Sequence, residues 1–197
     1  MNERESLPPE YFARVYAEND DPWGFATRPY EARKYAATLD ALPRNRYQSA
    51  FEIGCSIGVL TEQLAGRCER LLAVDVAGRA LEQARKRCRH LPHVRLARMA
   101  VPDEFPDECF DLILVSEVGY YWGWDGLATA QQLISEHLKP HGHLLLVHWT
   151  PFVEDYPLTG DQVHEAFLQG ADAGNGLRHL ISSRQETYRM DLFERRD

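Results

Sequence analysis

Between residues 49 and 149, short apolar runs alternate with stretches of helical periodicity, and that alternation limits the folds open to this chain. The runs lie at 50–53, 71–74, 94–98, 110–115 and 144–147, the fourth carrying Leu112-Ile113-Leu114-Val115. Between them come Ile57, Leu60 and Leu64; then Ala77, Leu81, Ala84 and Cys88; then Leu127, Ala130, Ile134 and Leu138. Spacings of three and four put each set on one helical face. Pro140 and Gly142 stop the last helix. Strands that are apolar along their length have both faces covered, as in a parallel sheet flanked by helices. Right-handed crossovers then give a doubly wound α/β sheet. Downstream, Thr159-Gly160-Asp161-Gln162 has a capping-box pattern and opens a helix with Val163, Ala166 and Phe167. Residues 177–184 and 187–194 read as two more strands with a very short connection, most simply antiparallel. The expectation is a seven-stranded, mostly parallel sheet whose last strand pair is antiparallel, which is not the usual NAD-binding architecture.

Charge narrows the partners. Thirty Asp and Glu against 22 Lys and Arg leave a net charge of -8. A protein that tracks nucleic acid needs a basic stripe, and anionic lipid repels an acidic surface, so neither partner is expected. No apolar run approaches the roughly 20 residues of a spanning helix, and the opening Met1-Asn2-Glu3-Arg4-Glu5 is polar, unlike a signal peptide. The 4 cysteines form no C-x-x-C pair and read as reduced residues of a cytoplasmic protein. His137, His141 and His143 straddle a helix end and a Pro-Gly turn, a poor ligand set, so no metal is expected.

Chemistry concentrates at Glu52-Ile53-Gly54-Cys55-Ser56-Ile57-Gly58, a strand-to-helix junction. Ligands of such sheets bind at the carboxyl ends of the strands, and glycine there lets backbone approach a ligand closely. Asp75 ends the next strand, about 20 residues beyond Gly54, the distance of a carboxylate that bonds ribose hydroxyls. The pair implies an adenosine-type ligand. The dinucleotide fingerprint G-x-G-x-x-G is absent, since Ser56 and Val59 occupy two glycine positions. A second reading takes Gly54–Gly58 as the G-x-S-x-G elbow of α/β-type hydrolases, with Ser56 as nucleophile and Asp111 and His148 as partners. Against it, the turn ends the first strand, and Asp111 sits at the wrong end of its own.

The third reading is S-adenosylmethionine binding. Glu52-x-Gly54-Cys55-x-x-Gly58, Val74-Asp75-Val76, Phe110-Asp111-Leu112-Ile113 and Leu138-Lys139-Pro140-His141-Gly142-His143-Leu144 resemble motifs of class I methyltransferases. Asp20-Asp21-Pro22-Trp23, Pro29-Tyr30-Glu31, Arg33, Glu52-Ile53-Gly54-Cys55, Arg70-Leu71 and Ser116-Glu117-Val118-Gly119-Tyr120-Tyr121 resemble the rhizobial nodulation-S family of N-methyltransferases. The likeness covers roughly residues 10–148 and fades over residues 149–173.

This resemblance implies a Rossmann-like fold and methyl transfer from S-adenosylmethionine, with S-adenosylhomocysteine as product. The acceptor it suggests is a small-molecule amine, with amino sugars or oligosaccharides as the class. Small-molecule O-methylation and cofactor binding without catalysis are the alternatives. The turn residues Gly54, Cys55, Ser56 and Gly58 would face the amino-acid end of the cofactor, and Glu52 its amino group. Asp75 would take the ribose, beside Val76. Met99 and Ala100 would flank the adenine, although Met99 aligns where such families often carry Asp. Trp23, Tyr30 and Arg33 would cover the cofactor, with Arg33 on its carboxylate. Ser116 and Glu117, after the fourth strand, would also contact the cofactor; Glu117, Tyr120 and Tyr121 would stand beside the methyl group, and His148 would serve as general base. Asp155, Tyr156 and His164 are further candidates for the acceptor side. The expectation is therefore one domain: an N-terminal helical cap over 1–48, a cofactor-binding core over 49–149, and an acceptor-side loop and helix with the terminal strands over 150–197. The oligomeric state is not legible.

Overall fold

The computed structural model describes residues 5–197; the first four residues of the polar opening lie outside the described residues. The strands form a seven-stranded sheet in the order β3-β2-β1-β4-β5-β7-β6. The chain divides into two compact units, one of Pro8–Ala100 and one of Val101–Asp197 with the described residues before Pro8.

In the Pro8–Ala100 unit, α1 (Pro9–Glu18) and α2 (Pro29–Asp40) each begin on a proline, whose missing N–H costs nothing in a first turn. Three parallel strands follow: β1 (Ala50–Ile53), β2 (Leu71–Asp75) and β3 (Val94–Arg98). Ala50 registers with Leu71, and Leu71 with Val94. Phe51, Leu71 and Val74 are all but fully buried, each worth about 1.5–3 kcal/mol in transfer terms. The connecting helices are α3 (Val59–Leu64) and α4 (Gly78–Cys88). α4 turns Ala80, Leu81, Ala84 and Cys88 inward and packs on β2 and β3. Arg85, Lys86 and Arg87 fill its last turn, where cations complement the helix dipole. The N-terminal zone shares a core with the loops after β1 and β2. Phe12, Trp23, Phe25 and Val59 pack on Tyr16, Ile57, Ala77 and Ala80. Asp21 fixes the turn that carries Trp23, its two carboxylate oxygens accepting from the Phe25 amide at 2.7 Å and the Ala26 amide at 3.0 Å.

In the other unit, β4 (Phe110–Ser116) is buried along its whole length and pairs in parallel with β5 (Leu138–Trp149). Helix α5 (Trp124–His137) joins them. Here the structure corrects the reading of Leu138, which does not continue the helical face but opens β5. Pro140 restricts the residue before it to extended backbone, so the helix ends early. The Leu138 carbonyl, freed from the helix, accepts from Arg195 Nη1 at 2.8 Å. A register shift between Phe110 and Leu112 absorbs the Pro-His-Gly segment before regular pairing resumes at Leu112 and His143. β6 (Leu177–Arg184) and β7 (Tyr188–Arg195) are antiparallel, as expected, and β7 lies between β5 and β6.

Helix α6 (Gly160–Asp172) begins with a complete capping box. The Gln162 amide donates to Thr159 Oγ1 at 3.2 Å, and the Thr159 amide to Gln162 Oε1 at 2.8 Å. Gly160 is required: a Cβ there would lie 2.2 Å from the Trp149 carbonyl oxygen, so only glycine lets α6 start against the end of β5. None of the 4 cysteines, all among the described residues, forms a disulfide. Among the described residues no helix is long and apolar enough to cross a membrane.

Candidate functional site

The glycine turn is built from left-handed backbone. Gly54 (φ 79), Ser56 (φ 50) and Gly58 (φ 78) all have positive φ. The Gly54 and Cys55 amides both donate to the Val74 carbonyl at 2.9 Å, which ties the turn to the end of β2. Gly58 is glycine for packing: an added Cβ would lie 2.9 Å from Ala84 Cβ and 3.0 Å from its Cα. Ser56 has a side chain in a region such residues rarely adopt, and strain of this kind gathers at functional sites. Its hydroxyl is hydrogen-bonded to the buried Tyr16 hydroxyl of α1. That pairing disfavours the hydrolase reading. A serine nucleophile needs a proton acceptor, whereas burial raises the Tyr16 phenol pKa well above its ordinary value.

Asp75 joins the two loops. Its Oδ2 accepts from the Ser56 amide at 2.8 Å, and its Oδ1 from the Ala77 amide at 2.8 Å. Burial raises its pKa and these amides oppose the rise. A carboxylate oxygen holds two lone pairs, so each can still accept a hydroxyl. Glu52 is 2% exposed, and burial pushes its carboxyl up to about 7, with Asp75 adding to the rise. Glu52 Oε2 has no hydrogen-bond partner. An orphaned buried carboxylate oxygen calls for a missing donor.

The other candidates of this unit lie around that frame. Val76 and Ala100 are half-buried; so is Met99, whose amide donates to the Asp75 carbonyl at 3.2 Å. Trp23 stacks on Phe25 (centroids 5.5 Å) and meets Tyr16 edge-on at 5.6 Å. Tyr30 lies under the Lys34 ammonium, 5.2 Å from ring centroid to Nζ. Arg33 is exposed on α2, whereas Lys34 is 2% exposed and paired with Glu31 at 2.8 Å. The basic residue that α2 buries is therefore the lysine.

In the second unit, the candidates after β4 form a tight group. Ser116 is buried at the strand end, and Glu117 follows with φ 58, again left-handed. Glu117 Oε2 accepts from the Tyr120 hydroxyl at 2.6 Å and from the Trp149 amide at 3.0 Å. Burial beside Glu117 raises the Tyr120 phenol pKa, so it remains a donor. Tyr120 stacks on Tyr156 at 5.0 Å, and Tyr121 meets both rings edge-on at 4.7 and 4.8 Å. Asp155, by contrast, is exposed. His148 is fully buried, and both ring nitrogens are engaged: Nε2 accepts from the Gly119 amide at 3.0 Å, and Nδ1 faces His164 Nε2 at 3.1 Å. A base needs an open lone pair, so this geometry does not equip His148 as one.

Sequence reasoning missed Tyr16, Asp191 and His179. Asp191 is a buried carboxylate on β7 that joins His164 at 2.6 Å to His179 at 2.8 Å. The one signal was its setting, an acid amid strand residues facing the core.

Comparison with known proteins identifies the lineage. Nodulation protein S of Rhizobium tropici is 35% identical over 64% of this chain and 54% of that protein. Nodulation protein S of Bradyrhizobium diazoefficiens is 41% identical over 52% of this chain and 49% of that protein. The chain thus spans about half the length of these curated relatives. The crystal structure of N-methyltransferase NodS from Bradyrhizobium japonicum WM9, in complex with S-adenosyl-L-homocysteine, superposes with a TM-score of 0.83 at 26% identity, covering 95% of this chain and 98% of that one. The Nodulation protein S (NodS) family model matches residues 12–148. With most of its length inside that match, the chain belongs to the NodS family.

Proposed function

We propose that this protein transfers a methyl group from S-adenosylmethionine to the nitrogen of a small-molecule amine. The observation that carries the reading is Glu52, whose buried Oε2 lacks a donor at the foot of a left-handed glycine turn. An ammonium group is the donor such a site suits, and its charge would draw the carboxyl back to its ionised form. Gly54 and Ser56 would present the turn to the cofactor's amino-acid end. Asp75 would accept from the ribose hydroxyls while keeping its two amides. Trp23 and Tyr30 would cover the cofactor, and Met99 and Ala100 would flank the adenine. The solved NodS complex with S-adenosyl-L-homocysteine supports the same cofactor.

When bound, the cofactor supplies an electrophilic methyl on a sulfonium, and the rest is positioning. Glu117, held by the Tyr120 hydroxyl and the Trp149 amide, would attract a basic acceptor and take the proton that an ammonium must lose before it can attack. The tyrosines around it favour a cationic ligand. The net charge of -8 supports a basic small molecule over nucleic acid. Reduced cysteines suit a cytoplasmic setting.

Calorimetry with S-adenosylhomocysteine tests the cofactor, and radiolabel transfer to a panel of amino sugars, other amines and phenols tests the acceptor. Binding of about micromolar order is expected, weakened about tenfold or more in Asp75→Ala. Absence of binding overturns the reading; transfer to phenols alone overturns the amine.

A further inference from the structure

Behind the Glu117–Tyr121 loop runs a buried hydrogen-bond chain that the proposed chemistry does not use. The Gly119 amide donates to His148 Nε2 at 3.0 Å. His148 Nδ1 lies 3.1 Å from His164 Nε2, and His164 Nδ1 lies 2.6 Å from Asp191 Oδ2. His148, His164 and Asp191 are each 0% exposed, and they come from β5, α6 and β7. The ends dictate every proton between them. A backbone amide can only donate, so His148 Nε2 carries the lone pair and its Nδ1 the hydrogen. That hydrogen points at His164 Nε2, which must accept, so His164 Nδ1 carries the hydrogen that Asp191 receives. The outer end is anchored: Arg189 Nε donates to Asp191 Oδ2 at 2.7 Å, and the exposed His179 bonds Oδ1 at 2.8 Å. At the inner end there is no slack, since a Cβ on Gly119 would lie 2.9 Å from His148 Nε2 and 2.7 Å from Val163.

We propose that His148, His164 and Asp191 form a positioning chain that fixes the Gly119 amide, and through it the Glu117–Tyr120 pair, in the geometry that receives the amine. The proposal rests on the methyl-transfer reading for its substrate but not for its proton placement. The chain works only while both histidines are neutral. A proton added at His148 Nε2 would set one N–H against another and push the Gly119 amide away. The groups facing the chain are consistent with neutrality: burial lowers the His164 pKa, opposed by Asp191 and Asp161, while Arg189 adds to the lowering. Arg189 also pairs with Asp161 and Glu165 of α6, Ser182 of β6 sits opposite Asp191 in register and lowers its pKa, and the raised-pKa Tyr120 ring lies beside His148. The His148 and His164 rings meet edge-on at 5.1 Å, which holds the nitrogens in line.

The test compares wild type, Asp191→Ala and Asp191→Asn by histidine long-range 1H–15N spectra, acceptor kinetics and S-adenosylhomocysteine calorimetry. In wild type both His148 and His164 are expected as the neutral Nδ1–H tautomer at pH 7. Asp191→Ala frees His164 to reverse, which turns two donors toward each other; the tautomers mix and the acceptor KM rises about tenfold or more, with cofactor affinity unchanged. Asp191→Asn keeps an oxygen for His164 Nδ1 and recovers most of that loss. Without the carboxylate His164 is harder to protonate, so its acid limb of kcat/KM moves to lower pH, which a purely structural role would not do. An Nε2–H tautomer at His148 in wild type overturns the proposal and needs no variant to fold. So does an Asp191→Ala protein with unchanged tautomers and acceptor KM, or an Asp191→Asn protein as impaired as Asp191→Ala. A wild type that binds cofactor but methylates no amine defeats the amine reading, while the spectra still decide the chain.

Discussion

Glu52 shows how one residue can carry an energetic cost that a ligand relieves. Its carboxyl is pushed from 4.5 up to about 7 by burial. Below the lower value both folded and unfolded chains bind the proton, and there is no penalty. As pH rises between the two, the unfolded chain ionises first and is favoured; above about 7 the penalty is complete, about 3 kcal/mol by linkage. Glu52→Gln should therefore stabilise the ligand-free protein by up to about that amount at pH 8, read from urea unfolding. If Glu52 answers an ammonium, the same variant loses cofactor affinity. Equal or lower stability of the variant would contradict the burial account. The residue type and strand-end place of Glu52 were readable from the chain, as were Gly54 and Asp75, because glycine and a terminal carboxylate mark a turn locally. Tyr16 was not readable as the partner of Ser56, since 40 positions separate them and only folding makes them meet. His148 was readable as a strand-end histidine, but its proton placement depends on Gly119, His164 and Asp191.

Among the elements, strands and helices followed their apolar periods, and deviations occurred where a neighbour overrode the period. Leu138 fits the helical spacing, yet Pro140 two positions on ends the helix and sends Leu138 into β5. Gly58 looked like a ligand-approach glycine; its nearest constraint is α4. Gly58→Ala must place a Cβ 2.9 Å from Ala84 Cβ at a φ of 78. A loss of about 2–4 kcal/mol in unfolding free energy is expected. Ala84→Gly in the same chain should return part of it by removing the Cβ contact, while the tight approach to the Cα of that residue and the strain remain. No recovery in the double variant would mean that the Cβ–Cβ contact contributes nothing to the cost. At α6 the capping box was legible in four consecutive residues, and Thr159→Ala should cost about 1 kcal/mol by denaturant unfolding. Because α6 carries His164, that variant also loosens one link of the buried chain.

For the whole molecule, pH acts on the two units through opposite signs. His164 has a pKa held below 6.5 by burial, so the unfolded chain takes up a proton first and stability falls as pH drops below about that value. The Asp191 carboxyl lies below 3.8, chiefly through His164 and Arg189 against the cost of its burial, and its contribution is lost only at more acid pH. Glu52 works the other way between 4.5 and about 7. The urea midpoint of wild type should therefore climb less across this overlap than that of Glu52→Gln, which should rise through it until His164 is neutral in both states. A flat profile in both proteins would remove Glu52 as the opposing term.

By itself the sequence determined the element order, the parallel core strands, the glycine turn and the carboxylate after it, because periodicity, capping and turn chemistry are local. Likeness to NodS was carried by the same local strings. Tertiary structure alone decided that β7 lies between β5 and β6, that Tyr16 meets Ser56, that Lys34 rather than Arg33 is buried, and that a histidine expected to be a base holds a backbone amide instead. Hydrogen-bond direction and burial depend on partners distant in the chain, and no local pattern encodes which lone pair is already taken.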